Sequence, residues 1–344
     1  MFGIKKFLAV LCCAAVSAGA AGCGSSASSA GGAASAGGSD KVKIVCTVFP
    51  AYDWVRELTK GREDKVDISY LLDHGSDMHS FQPTADDILS ITNCDLFVYV
   101  GGESDGWARD ALANVTDRDV KAVALIEAVG SDAKEEEVKE GMQAEEEEHD
   151  HEEGEGHDHE EEEPEYDEHV WLSLRNAEKI CGVICDDLCA ADASGSETYK
   201  ANLSSYKGEL DKLDSEFKSL ADGAKTKALI FGDRFPFRYF TDDYGFDYYA
   251  AFVGCSAETE ASFETITFLS KKLDELRTGV VFTIENSDQK IAKAVIESST
   301  DSKNASIASL DSLQSVNRER VDGGATYLSL MKENYETLKA NISA

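Results

Sequence analysis

Apolar residues along this chain fall into short runs that alternate between two periods. Val42–Thr47, Val66–Leu72, Leu96–Val100 and Lys121–Ile126 are brief, rich in β-branched and aromatic residues, and predict strands. Between them, Tyr52–Thr59 carries its apolar residues on one side. Thr84–Thr92 opens with Thr84 as an N-cap, followed by Asp86 and Asp87 in the first turn, where the helix dipole favours negative charge. The second half repeats the pattern: strands at Ala228–Phe231, Asp247–Phe252, Val280–Ile284 and Ala305–Leu310, helices at Phe263–Leu276 and Lys290–Glu297. Strands alternating with helices predict parallel βαβ units. A different pattern joins the halves. Tyr199, Leu203, Tyr206, Leu210, Leu213, Phe217 and Leu220 are spaced four and three apart in turn, a one-faced stripe ended by Gly223. The expected fold is α/β: two lobes, each a four-stranded, mainly parallel sheet flanked by helices, joined by one long rigid helix. The boundaries are 41–195 for the N-terminal lobe, 196–222 for the linking helix and 223–344 for the C-terminal lobe.

The N-terminal segment changes the picture from a plain two-lobed protein to an exported one. Lys5 and Lys6 precede the apolar stretch Phe7–Val16, which is too short to span a bilayer comfortably, and Ala20-Ala21-Gly22 stand just before Cys23. Residues 1–22 are expected to be a secretory signal. The cysteine directly after small residues resembles a bacterial lipobox, which makes Cys23 the expected lipidation site and membrane anchor. Residues 23–40 are almost entirely Gly, Ala and Ser after that cysteine, a flexible tether. The formal charge of -33 argues against nucleic acid or anionic lipid as a partner and favours cations near the surface. Nine cysteines suggest a disulfide set, but Cys181, Cys185 and Cys189 share one helical face with Ile184 and Leu188, where small thiols serve as core. Pairing of Cys46, Cys94 or Cys255 is not legible from spacing.

The histidines bring in the chemistry. All seven lie between positions 74 and 169. From Glu135 to Glu168 there are twenty carboxylates against one lysine, Lys139, a composition without core-forming residues. A solvated acidic loop accounts for the carboxylates. It does not account for His149-Asp150-His151 and His157-Asp158-His159, which suit loose, interchangeable coordination of zinc, copper or nickel. A rigid site needs ligands from separate elements. His79 lies in a loop leading into a helix, and His169 lies where the acidic segment re-enters the folded body; neither sits on an apolar helical face. His74 reads as a surface histidine that could serve the entrance to such a site.

Asp77-Met78-His79-Ser80-Phe81-Gln82-Pro83 and Asp167-Glu168-His169-Val170-Trp171-Leu172, in this order, resemble the two histidine motifs of metal-specific ABC-transporter substrate-binding lipoproteins, the zinc and manganese binders. Met78 and Glu168 stand where the family carries proline. The acidic His-rich loop before the second motif resembles the zinc-uptake branch, and Gly324–Asn334 resembles the family's last helix. The resemblance implies an extracytoplasmic protein held at the bacterial membrane. It would be a monomer without enzymatic activity that captures Zn²⁺ between its lobes and hands it to an ABC permease and its ATPase. It also implies His79 and His169 as ligands, with Asp311, just after the last C-lobe strand, as a fourth. In the third ligand slot this chain has Arg234, whose guanidinium has no lone pair to donate and is expected to pair with a carboxylate of the site or rim. The missing ligand is then expected from Glu258, with Glu260, Asp233 or water as alternatives. Capture is expected to weaken below about pH 6.5 as imidazole protonates.

Other readings stay open at this level. A more carboxylate-rich site would favour Mn²⁺ or iron. A zinc hydrolase would need an open coordination position and a general base, and no His-Glu-x-x-His motif is present. A surface metal buffer or adhesin would need no importer.

Overall fold

The computed structural model describes residues 41–115, 119–143, 165–256 and 260–343. The signal, Cys23, the tether, Glu258 and the four histidines of the acidic loop lie outside the described residues. The strands are β1 (Val42–Cys46), β2 (Val66–Tyr70), β3 (Leu96–Tyr99), β4 (Lys121–Ala124), β5 (Ala228–Phe235), β6 (Asp247–Val253), β7 (Val280–Ile284) and β8 (Ser306–Leu310). They form two four-stranded sheets, ordered β2-β1-β3-β4 and β6-β5-β7-β8, with every pair parallel. Helices cover both faces, so the inner strands β3 (LFVY) and β7 (VVFTI) are buried along their length and apolar but for Thr283. The edge strands β2 (VDISY) and β8 (SIASL) carry the polar residues.

Strand ends shift by a residue or two in several places, and two differences matter for the packing and the site. Lys121–Ile126 is cut short because Leu125 and Ile126 begin the helix Leu125–Val129. Ala228–Phe231 instead runs on to Phe235, through a register shift between Phe231 and Arg234. Gly232-Asp233-Arg234 breaks the apolar run, which hides the strand from a periodicity argument. The irregularity re-aims Asp233 and Arg234 toward the cavity between the sheets. Gly232 is required there, since a Cβ would stand 2.5 Å from the Ala292 backbone.

The stripe of aromatic and leucine residues forms one helix, Ser196–Asp222, burying Tyr199, Tyr206, Leu210, Leu213 and Phe217. It bridges both halves. Asn202 Nδ2 donates to Leu58 O and Lys60 O at 2.9 Å on one side, and Phe217 meets Phe240 and Tyr335 at 5.0 and 5.5 Å on the other. The last helix, Tyr327–Ile342, ties back to the N-terminal lobe. Tyr327 N donates to Asp53 at 2.7 Å, its hydroxyl donates to Trp171 O at 2.6 Å, and its ring meets Trp54 edge-on at 5.1 Å. One apolar core runs without a break from Ile44 and Val98 to Phe231 and Phe282. Cys181 and Cys185 lie in it as expected, and Cys46 and Cys255 are thiols.

The two ends of the acidic segment are held in place. Glu136 N donates to Glu165 O at 2.8 Å, and Asp167 N to Lys134 O at 2.9 Å. From there the outgoing end crosses to the C-terminal sheet. Lys139 Nζ reaches Asp247 at 2.7 Å and lies 3.9 Å from the Tyr248 ring centre. Gln143 bridges to Phe252, its N–H donating to Ala251 O at 2.9 Å. That contact partly covers the outer edge of β6, a strand edge that would otherwise be open.

Candidate metal centre

Ligands of open parallel sheets gather beyond the carboxyl ends of the strands, and both sheets here send polar side chains to one place. His79 follows β2, in the short 3₁₀ turn Met78–Ser80 capped by Asp77, whose Oδ1 accepts the His79 N–H at 3.0 Å. His169 precedes the 3₁₀ turn Val170–Leu172 and is fully buried. Cys255 follows β6, and Gln314 follows β8. The Nε2 atoms of His79 and His169 stand 3.3 Å apart, with Gln314 Oε1 3.3 Å from His169 Nε2.

The partners of the other ring nitrogens decide what those Nε2 atoms can do. His79 Nδ1 lies 2.7 Å from Ser104 Oγ and 3.4 Å from a Glu168 carboxylate oxygen. His169 Nδ1 lies 3.1 Å from Asp167 Oδ1, which also accepts the His169 N–H at 2.9 Å. In the tautomers that donate from both Nδ1 atoms to these partners, both Nε2 lone pairs face each other. Two nitrogens about 2.0–2.1 Å from a tetrahedral Zn²⁺ would stand about 3.3–3.4 Å apart. The 3.3 Å spacing therefore fits one shared zinc ion.

Their surroundings pull the two imidazoles in opposite directions. Burial, then the neighbouring His169, hold His79 down at about 3. Burial also opposes charge on His169, but the Asp167 hydrogen bond and charge overcome it and raise its pKa.

The other expected ligands fall elsewhere. Asp311 is engaged on both oxygens, accepting from Arg320 at 2.6 Å and from the Leu313 N–H at 2.8 Å. Its carboxylate is committed to holding the turn after β8. Glu260 is exposed, and His74 is exposed beside Asp73. Asp233 accepts the Arg234 N–H through Oδ1, while its buried Oδ2 faces no hydrogen-bond donor. Among the described residues, the His, Cys, Asp and Glu ligand atoms that converge are those of His79, His169 and Cys255, all within 4.8 Å of one another. Arg234 does pair with a carboxylate, donating to Asp77 Oδ2 at 2.5 Å and to Ser256 O at 3.1 Å. It thus steadies the residue that caps the His79 turn. A cavity of about 490 Å³ opens beside this pair, lined by His79, Asp233, Arg234 and Glu285 among others. Burial, then Asp311, raise Glu285 to about 7, and its carboxylate accepts from the Ser312 N–H at 2.7 Å and hydroxyl at 2.6 Å.

Sequence reasoning missed Cys255, Gln314, Ser104 and Glu168. One signal was present. Glu168 occupies a motif position where the resembled family has proline, and it accepts the Ser104 N–H at 2.8 Å while lying against His79. Gly102 makes room for it, since a Cβ there would stand 2.1 Å from the Glu168 carboxylate.

The family model described as zinc-uptake complex component A, periplasmic, matches residues 44–341. The high-affinity zinc uptake system protein ZnuA of Bacillus subtilis is 30% identical over 303 residues, covering 88% of each chain. The zinc-binding protein AdcA of Streptococcus pyogenes serotype M3 is 28% identical over 305 residues, 87% of this chain. This chain spans about half the length of the AdcA relatives, 56% in that case. Among solved structures, the metal-dependent lipoprotein YcdH of Bacillus subtilis superposes with a TM-score of 0.68 at 25% identity, covering 88% of this chain and 99% of that one. The periplasmic zinc-binding protein TroA of Treponema pallidum gives 0.69 at 20% identity, covering 88% and 100%, a likeness of fold.

Proposed function

The chain belongs to the zinc-uptake complex component A family, and from that membership and the enclosed imidazole pair we propose that it is the extracytoplasmic zinc-capturing component of an ABC importer. Zn²⁺ is taken up between the lobes by His79 and His169 and passed to a permease, with the energy supplied by that transporter's ATPase. The protein binds and releases without transforming its cargo. Residues 1–22 direct export, Cys23 carries the lipid anchor, and residues 23–40 give the body reach from the membrane. His149, His151, His157 and His159 collect metal loosely for that site.

The observation that carries this reading is the approach of two Nε2 atoms to 3.3 Å, each ring held from behind by a hydroxyl or carboxylate. With both rings neutral and protonated at Nδ1, the two Nε2 atoms supply two corners of a tetrahedron around one cation. Competition titration of the metal-free protein tests it. A tight stoichiometric Zn²⁺ site is expected in the full chain, lost in His79→Ala and in His169→Ala but retained when residues 144–164 are deleted. A tight site that survives both histidine changes would sink the assignment.

A further inference from the structure

Two imidazoles leave a zinc ion half-coordinated, and the third slot of the family pattern is occupied here by a guanidinium. We propose that Cys255 supplies the third ligand as a thiolate, making this a nitrogen–sulfur site that selects zinc against manganese. The inference rests on the capture reading above and concerns how that site is completed.

The thiol is placed there by the fold. β6 ends at Val253, and Gly254 lets the chain pass against the ring of His169. A Cβ on Gly254 would stand 3.1 Å from His169 Cε1 and Nδ1 and 3.0 Å from Phe235 O. The next residue is fixed from the other side, where Cys255 N donates to Glu136 Oε1 at 3.2 Å, at the base of the acidic segment. The result is a sulfur within 4.8 Å of both imidazole ligand atoms. A tetrahedral site with Zn–S of about 2.3 Å and Zn–N of about 2.0–2.1 Å requires nitrogen–sulfur separations of about 3.6 Å. A rotation of one short side chain or a shift of the turn by about 1 Å closes that gap. On binding, the S–H proton leaves to solvent as the metal–sulfur bond forms. The Gln314 carbonyl oxygen, 3.3 Å from His169 Nε2, or a water then fills the fourth position.

The donor set has a consequence for selectivity. Thiolate is a soft ligand that suits zinc, whereas Mn²⁺ prefers carboxylate, carbonyl and water. The carboxylates of Asp77 and Asp167 are engaged by Arg234 and His169, and Glu168 accepts the Ser104 N–H through Oε1 while its Oε2 lies 3.4 Å from His79 Nδ1. They support the ligands instead of competing with them.

Cobalt(II) is the probe, because a thiolate ligand gives it an intense near-ultraviolet charge-transfer band that imidazole and carboxylate do not. One equivalent of Co²⁺ added to the reduced, metal-free full chain is expected to produce that band. Cys255→Ser and Cys255→Ala are expected to abolish it and weaken Zn²⁺ binding by about a hundredfold, since even outer-shell changes weaken metal sites by about 10–100-fold. Cys255→Asp is expected to narrow the zinc-over-manganese preference, with circular dichroism confirming the fold of each variant. A tight Zn²⁺ site with no thiolate band, or a band unchanged in both Cys255→Ser and Cys255→Ala, overturns the inference and leaves the capture reading standing. No tight Zn²⁺ binding in the unaltered protein overturns the capture reading itself.

Discussion

His169 shows how much a single residue's surroundings decide. Its ring is enclosed by Asp167, Gln314, His79 and the edge of Trp171, 5.3 Å away between ring centres. Asp167 fixes which nitrogen carries the proton. Asp167→Ala is therefore expected to weaken Zn²⁺ binding by about 10–100-fold without touching a ligand, measured by competition against a chelator. Gly254→Ala is expected to weaken it too, because the added methyl must displace the His169 ring or the Phe235 carbonyl. An unchanged zinc affinity in that variant would show that the approach is looser than it stands here. At this scale the sequence was partly legible. His79 and His169 were found because each lies in an ordered motif of several residues. Cys255 and Gln314 were not, because each is a single residue in a loop whose meeting with His169 depends on how two distant sheets face each other. Asp311 is hard to read for a related reason: a carboxylate after a strand looks the same whether it binds a metal or accepts from Arg320.

At the scale of elements, periodicity read the inner strands and the long helix well, because burial on defined faces leaves a regular imprint on sequence. Val280–Ile284 and Phe263–Leu276 have the bounds expected of them. Where an element is irregular for the sake of the site, as in the second half of β5, the imprint vanishes. The long helix depends on a few large contacts. Phe217 is almost wholly buried among Phe240, Tyr244 and Tyr335. Phe217→Ala is expected to destabilise the protein by about 3–5 kcal/mol in urea unfolding. The acidic segment divides into two parts with different roles. Removing residues 144–164 should leave thermal stability nearly unchanged. Removing residues 135–143 as well should lower it, since Glu136, Lys139 and Gln143 bind Cys255, Asp247 and Ala251. Parallel melting curves of the two deletions check this.

For the whole molecule, the unexpected property is continuity between the lobes. The sequence announced two lobes and a stiff connection but gave no sign that one apolar core would run through both, because that depends on Tyr327, Trp54 and Trp171 meeting across more than a hundred positions of chain. Asp53 is buried at this junction, and burial raises its pKa to about 6 although it accepts the Tyr327 N–H. The folded state then holds this proton more tightly than the unfolded chain, whose carboxyl titrates near about 3.9. Its contribution to stability is greatest below about pH 4, is lost as pH climbs through about 6, and is absent above that. Asp53→Asn removes the charge and keeps an acceptor for Tyr327. Its stability relative to the unaltered protein should rise by roughly 2 kcal/mol between pH 4 and pH 7. A constant difference across that range would count against a charge buried at the junction.

The unbroken core has a further consequence for any transporter that must tell a loaded carrier from an empty one. A protein that folds shut around its cargo announces occupancy by its posture. Here the long helix, the shared core and the Tyr327 ties join the lobes, so on the capture reading proposed above occupancy would be announced by relief: the setting of the Cys255 and His79 turns. A permease reading such a surface would be checking texture, not shape, and that would tie recognition to the same few residues proposed to hold the metal.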